Sequence, residues 1–186
     1  MKRSDLIEAL KSVQNASRIH RDSICDIVLS NPKIIPDLIR ICFEENNKLS
    51  IKSFWALELL AKKSLEYLKN DLDFFCQNIH KLKFDSAKRP AAKICELIAL
   101  DFAKIERQEL VLTSNQQEQI IECCFDWMIG QEKIAVQVYS MQTIFLLGRN
   151  YDWVRPELAL ILKDKIANAS CGYRSRAKKI LKAINL

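Results

Sequence analysis

Apolar residues recur every three or four positions along nearly the whole chain, and this spacing constrains the fold more than any other feature. Leu6, Ile7, Leu10 and Val13 show it early, Ile120, Ile121, Cys124, Phe125 and Met128 in the middle, and Leu158, Ile161, Leu162 and Ile166 late. Each set falls on one face of a helix. No segment sustains the alternation of a half-buried strand, so the expected fold class is all-α. Helix punctuation agrees: Ser4 precedes Asp-Leu-Ile-Glu, Asn31 precedes Pro32 at a first helical position, and Gly130, Gly148 and Gly172 flank periodic segments. The spacing predicts ten helices, over residues 4–14, 18–29, 32–45, 50–67, 70–82, 86–104, 116–129, 132–148, 154–168 and 171–184. A length of 186 residues suits a single domain over 1–186, built as one short array.

The helices fall into pairs. Short polar turns are expected at Asn46-Asn47, Asp85-Ser86, Gly130-Gln131 and from Ser170 to Gly172, and second helices tend to open with Ser and a basic residue, as at Ser17, Ser50, Ser86 and Ser170. Those serines lie 33, 36 and 84 residues apart, the last interval reading as two periods. Glu58-Leu-Leu-Ala61 is echoed 38 residues later by Glu96-Leu-Ile-Ala99. One helix pair cannot bury its own apolar faces, whereas a stack of pairs makes a continuous core. An α-solenoid of about five pairs is therefore expected, with a nonrepeating helical bundle as the competing fold.

Composition removes several functions. Three glycines leave no G-x-G-x-x-G and no G-x-x-x-x-G-K-[ST], so the standard nucleotide-binding loops are absent. Seven cysteines without a C-x-x-C, with Cys25, Cys42, Cys76 and Cys95 among apolar residues, read as buried reduced thiols rather than disulfides or zinc ligands. The opening Met-Lys-Arg-Ser-Asp-Leu lacks the apolar centre of a signal peptide, and the longest uncharged run, 134–148, is shorter than the roughly 20 residues that span a bilayer. A cytoplasmic location with no membrane span is expected, and neither cofactor nor metal is implied.

With these residues in view the chain resembles a known family. Lys88-Arg89-Pro90-Ala91-Ala92-Lys93-Ile94-Cys95-Glu96-Leu97 and Tyr173-Arg174-Ser175-Arg176-Ala177-Lys178-Lys179-Ile180-Leu181 resemble the second helix of HEAT repeats, with basic, Ala and Leu positions in that order. The HEAT/armadillo-like resemblance implies an α-α superhelix whose second helices line the inner surface. More narrowly, the strings from Arg89 to Leu97 and from Thr143 to Trp153 look similar to small bacterial HEAT-like proteins that sometimes carry the label adenylosuccinate lyase. That label is not supported by motifs here: the lyases are much longer and need a Ser-Ser-x-Met-Pro-x-Lys-x-Asn-Pro type loop, which this chain lacks.

No catalytic constellation emerges. His20 and His80 lie in polar surroundings and read as solvent-facing, since a general base also needs an orienting partner and a cleft. Cys123, Cys124 and Cys171 have no nearby His; Cys124 reads as core, and Cys171, beside Gly172, as an exposed thiol. Trp55 reads as core. Asp152 reads as a cap for the helix near Val154, with Trp153 packed at a repeat junction. Asp126-Trp127 invites analogy with HEAT-like DNA alkylation-repair glycosylases, which use aromatics and an Asp on a basic concave face; the analogy is at the level of fold.

Charge gives the sharpest surface prediction. Lys and Arg number 29 against 23 Asp and Glu, a net +6, and residues 170–186 supply five of those charges without an acid. Arg174, Lys178 and Lys182 form an i, i+4, i+8 row beside Lys179, opposite Tyr173, Ala177, Ile180, Leu181 and Ile184. A second cluster comprises Lys81, Lys83, Lys88, Arg89 and Lys93. The expected function is noncatalytic protein binding, with Lys52, Lys88, Arg89, Arg174 and Arg176 holding a partner of acidic surface in a partly basic groove of second helices. Nucleic-acid binding, with or without base-repair chemistry, is the alternative, and lyase activity the least favoured. Partner identity and oligomeric state are not legible.

Overall fold

A computed structural model describes residues 1–45 and 47–184, and these form ten α-helices with no strand among the described residues. They are α1 (Arg3–Ser12), α2 (Arg18–Leu29), α3 (Ile35–Cys42), α4 (Asn47–Lys63), α5 (Leu72–Asn78), α6 (Asp85–Phe102), α7 (Ser114–Ile129), α8 (Ile134–Leu147), α9 (Val154–Lys165) and α10 (Cys171–Ile184). All ten predicted helices are present, and the differences lie at their ends.

Those differences have local causes. Helix α1 starts before Ser4, because the Asp5 carboxylate takes the Lys2 amide at 2.8 Å. Pro32 opens a 3-10 turn, Pro32–Ile34, before α3 proper begins with Pro36 in its first turn, where a missing N–H is tolerated. Ser64 ends α4 and caps a second 3-10 stretch, Leu65–Asp71, by accepting the Glu66 amide at 3.2 Å, so the helix predicted over 70–82 shrinks to α5. The expected turn at Asn46-Asn47 lies partly outside the described residues, since Asn46 is not among them and Asn47 already begins α4.

The serine markers do not share one register. Ser170 is a true cap, accepting the Tyr173 amide at 3.3 Å, but Ser50 is buried inside α4 and donates its hydroxyl to the Cys42 carbonyl. Burial supplies the better ruler. Leu49, Ser53, Phe54, Ala56, Leu57, Glu58, Leu60 and Ala61 of α4 are buried, and so are the residues 38 positions later in α6: Ala87, Ala91, Ala92, Ile94, Cys95, Glu96, Ile98 and Ala99. The four-residue echo seen in sequence is thus one stretch of an eight-position burial pattern. Buried Ser53, Ala91, Ser140 and Ala177 mark the same small-residue position in α4, α6, α8 and α10, at intervals of 38, 49 and 37 residues.

The long interval contains the 103–113 connection. It is held by Asp101, a buried carboxylate that accepts the amides of Glu109 and Leu110 at 2.9 and 3.0 Å and the Lys104 ammonium at 2.7 Å. Thr113 then starts α7 with a capping box, its hydroxyl on the Gln116 amide and the Gln116 side chain on its own.

The chain divides into two compact units, Met1–Ile94 and Cys95–Leu186. In the first, α1, α2 and α3 pack on α4, and Phe43 makes edge contacts with Phe54, Phe74 and Phe75 at ring separations of 5.3 to 6.0 Å. In the second, α7, α9 and α10 pack on α8, and its uncharged run, 134–148, suits a helix with three neighbours. Gly148 follows α8 where a β-carbon would meet Val154 Cγ1 at 2.4 Å, so only glycine permits so close an approach to α9. No helix among the described residues is long and apolar enough to cross a membrane.

Candidate functional site

Each cation singled out in the sequence has a definite place. Lys52, in α4, donates through Nζ to the Lys11 carbonyl at 3.1 Å, a positive charge on the negative C-terminal end of α1. Lys88 is half-buried in the first turn of α6. Its neighbour Arg89 donates from Nη1 to Glu58 Oε2 at 3.1 Å, and the same fully buried carboxylate takes Lys62 Nζ at 2.5 Å. These three belong to the first unit.

In the second unit, Arg176 donates from Nη1 to Gln142 Oε1 at 2.7 Å and pairs with Glu96 at 3.3 Å. Glu96 is buried in α6, at the register position equivalent to Glu58. A buried carboxylate in a second helix, answered by an arginine from a later one, is therefore a recurring internal device. Its sequence signal was an acid inside an apolar run, Glu-Leu-Leu-Ala and Glu-Leu-Ile-Ala. Such carboxylates are very costly to bury unpaired, and their arginines are held in place to satisfy them.

Arg174 behaves differently. It is exposed, its Nη2 lies 3.5 Å from the sulfur of exposed Cys171, and Lys178, Lys179 and Lys182 extend the exposed basic face along α10. Buried Tyr173, Ala177 and Ile180 occupy the opposite arc, as the helical wheel predicts. Of the five predicted contact residues, then, Lys52, Arg89 and Arg176 are engaged within their own units, and Arg174 stands in a solvent-facing row.

The other predicted groups also resolve. Cys25, Cys42, Cys76, Cys95, Cys123 and Cys124 are buried and Cys171 is exposed. Burial pushes the Cys76 thiol up to about 12 and Cys42 well above its ordinary range, because a thiolate there would lose its hydration. His20 accepts the Gln14 amide on Nδ1 at 3.2 Å, closing the α1–α2 turn, and His80 is exposed.

Trp55 is half-buried rather than fully core. Asp126 is exposed whereas Trp127 is buried, so this pair does not present its two members on one surface. Asp152 is not the cap of α9: the turn from Tyr151 places Trp153 at that position, and Trp153 is 57% exposed rather than packed away.

Two hollows hold charged side chains at their rims. One of about 440 Å³ in the second unit lies beside Lys165, whose ammonium caps α7 through the Met128 and Ile129 carbonyls at 3.2 and 2.8 Å. Another, about 520 Å³, mixes Glu44 and Glu45 with Lys81 and Lys83 around Phe84 in the first unit. Among the described residues, no three His, Cys, Asp or Glu side chains gather as a metal site.

A family model described as a HEAT repeat domain matches residues 6–184, almost the whole of this helical array. The chain belongs to the HEAT repeat family. No match was found among curated proteins or among solved structures. As a HEAT repeat protein it is built from repeats that generally mediate protein–protein contacts, and the second helices named above are its even-numbered ones.

Proposed function

We propose that this HEAT repeat protein is a noncatalytic, cytoplasmic protein-binding module that holds an acidic partner through Arg174, Lys178 and Lys182 of α10, with Lys179 beside them. One observation carries the reading: α10 contains no acidic residue and exposes all four of these cations along one face. Lys52, Arg89 and Arg176 are engaged inside the fold, so the proposed contact surface narrows from a groove of five residues to this row. Unneutralised charge of one sign on a fixed helix raises the encounter rate with an oppositely charged surface. The only aromatic of α10, Tyr173, is buried, so the row has no stacking platform for unpaired bases and favours an acidic protein over single-stranded nucleic acid.

The test compares a labelled poly-glutamate peptide with a DNA oligonucleotide of equal charge, titrated by fluorescence anisotropy at about 50 mM salt and again at higher salt. Saturable binding of the peptide, lost in a Lys178→Glu/Lys182→Glu variant that melts like the parent, supports the module. Tighter binding of DNA with a steep salt dependence assigns the row to nucleic acid instead.

A further inference from the structure

The second unit carries an aromatic and acidic notch on a helix that the basic row does not include. Along α7, Glu118, Glu122 and Asp126 are exposed at i, i+4 and i+8, one face of the helix. None of the three makes an ion pair among the described residues. Against the first two lies the turn before α9, and Glu118, Ile121, Glu122, Tyr151 and Trp153 together line a hollow of about 130 Å³.

Acids alone would be a solvated face. The ring of Trp153 makes this one different. It is 57% exposed yet held in orientation, stacked on Phe125 at 5.9 Å with the two rings 21° apart. Tyr151 forms the second aromatic wall, fixed by a hydrogen bond from its hydroxyl to the Ser114 carbonyl at 3.3 Å. The nearby arginines point elsewhere: Arg149 donates to the Phe102 carbonyl and lies over that ring, and Arg155 does the same with Phe145. Among the described residues, no ion pair neutralises the notch.

We propose that this notch binds the guanidinium of an arginine in a partner's basic segment, seated on Trp153 between the carboxylates of Glu118 and Glu122. Three properties select that group. A guanidinium is planar and weakly hydrated, so it stacks on an indole where a hydrated ammonium is less suited. Two carboxylates one helical turn apart accept its forked N–H donors. The volume equals that of about four water molecules, enough for one side-chain head and too little for a helix. The charge of the whole chain, +6, repels a cationic segment in general, so its capture reports this one local surface. The inference is independent of the α10 row, and either one stands if the other fails.

The probe is a fluorescent, otherwise neutral peptide with a single arginine, compared with the same peptide carrying citrulline, the uncharged isostere. Anisotropy at about 50 mM salt is expected to show saturable binding of the arginine peptide, weakened about tenfold or more by citrulline and by Glu118→Gln/Glu122→Gln. The glutamines are exposed and isosteric, so that variant keeps the fold even where Trp153→Ala does not. Lys178→Glu/Lys182→Glu leaves this binding unchanged. Equal binding of the arginine and citrulline peptides, or unchanged binding in the glutamine variant, overturns the proposal. Self-association that is abolished by Arg174→Glu assigns the notch to a second copy and equally overturns a partner segment.

Discussion

Arg89 and Arg174 read alike in the sequence and do opposite things in the fold. Each opens a second helix among other cations, α6 in one case and α10 in the other. Arg89 is drawn onto Glu58, a carboxylate with no solvent exposure, whereas the Arg174 guanidinium has, among the described residues, only the Cys171 sulfur within hydrogen-bond reach. The contrast extends to Arg40, which pairs with nearly buried Asp71 at 2.9 Å and lies 3.6 Å over the Phe74 ring. Whether a cation belongs to the fold or to the surface is therefore decided by an acid elsewhere in the chain. Counting positive charges along one helix does not reveal it.

The largest effect expected is on stability at the first of these arginines. Arg89→Glu places a second carboxylate against buried Glu58 with Lys62 as the remaining cation, and is expected to cost about 3 kcal/mol. Arg174→Glu, at a solvated position, is expected to stay within about 0.5 kcal/mol of the parent. Urea unfolding followed by circular dichroism measures both. Equal midpoints would erase the distinction between the two arginines, and with it the argument for narrowing the contact surface to α10.

Next in size is a comparison between acids. Asp101 and Asp126 are both aspartates late in or within helices of the second unit, but Asp101 is buried with three donors and Asp126 is exposed. Asp101→Asn keeps the shape and removes the charge, which weakens all three contacts and frees the 103–113 connection, for about 2 kcal/mol. Asp126→Asn is expected to change nothing measurable in the same unfolding experiment. Proteolysis within 103–113 in the first variant alone would locate the damage.

How far the sequence reached follows from the same pairs. The ten helices were legible because apolar spacing and cap residues are local signals, and the amphipathic α10 was legible because its two faces are written in consecutive turns. The capping box at Thr113 and Gln116 is an equally local signal. The partners of Arg89 and Arg176 were not legible, because Glu58 and Glu96 lie 31 and 80 residues away and only packing brings them together. Trp153 failed for a related reason: an aromatic beside a helix start is ordinarily core, and its exposure depends on Phe125 already filling the space beneath it.

A smaller effect separates the thiols by pH. The folded state holds Cys76 up to about 12 and Cys42 well above the ordinary value of 9.0, so each favours the neutral form more strongly than the unfolded chain does. The stability this confers is complete below about pH 9 and is lost as pH rises toward 12, by up to about 1.4 kcal/mol per unit and per thiol. Urea midpoints measured at pH 8 and at pH 10 should fall at the higher value, and the fall should shrink in Cys76→Ala when each variant is referenced to its own neutral-pH midpoint. A parent midpoint that does not move would show these thiols to be freely hydrated.

The smallest effect concerns Cys171, where stability should not change at all. It is the one exposed thiol of the seven, at the start of α10 with the Arg174 guanidinium 3.5 Å from its sulfur. The other six are buried, so a neutral alkylating reagent reaches them only when the chain opens. Folded protein is therefore expected to take up one label and urea-unfolded protein seven, with the singly labelled form melting like the parent. Because the sulfur lies beside the basic row, that label also measures the row: a bulky adduct at Cys171 should weaken capture of poly-glutamate while leaving the arginine peptide on the α7 notch untouched. Equal loss of both ligands would mean that the two surfaces are not independent.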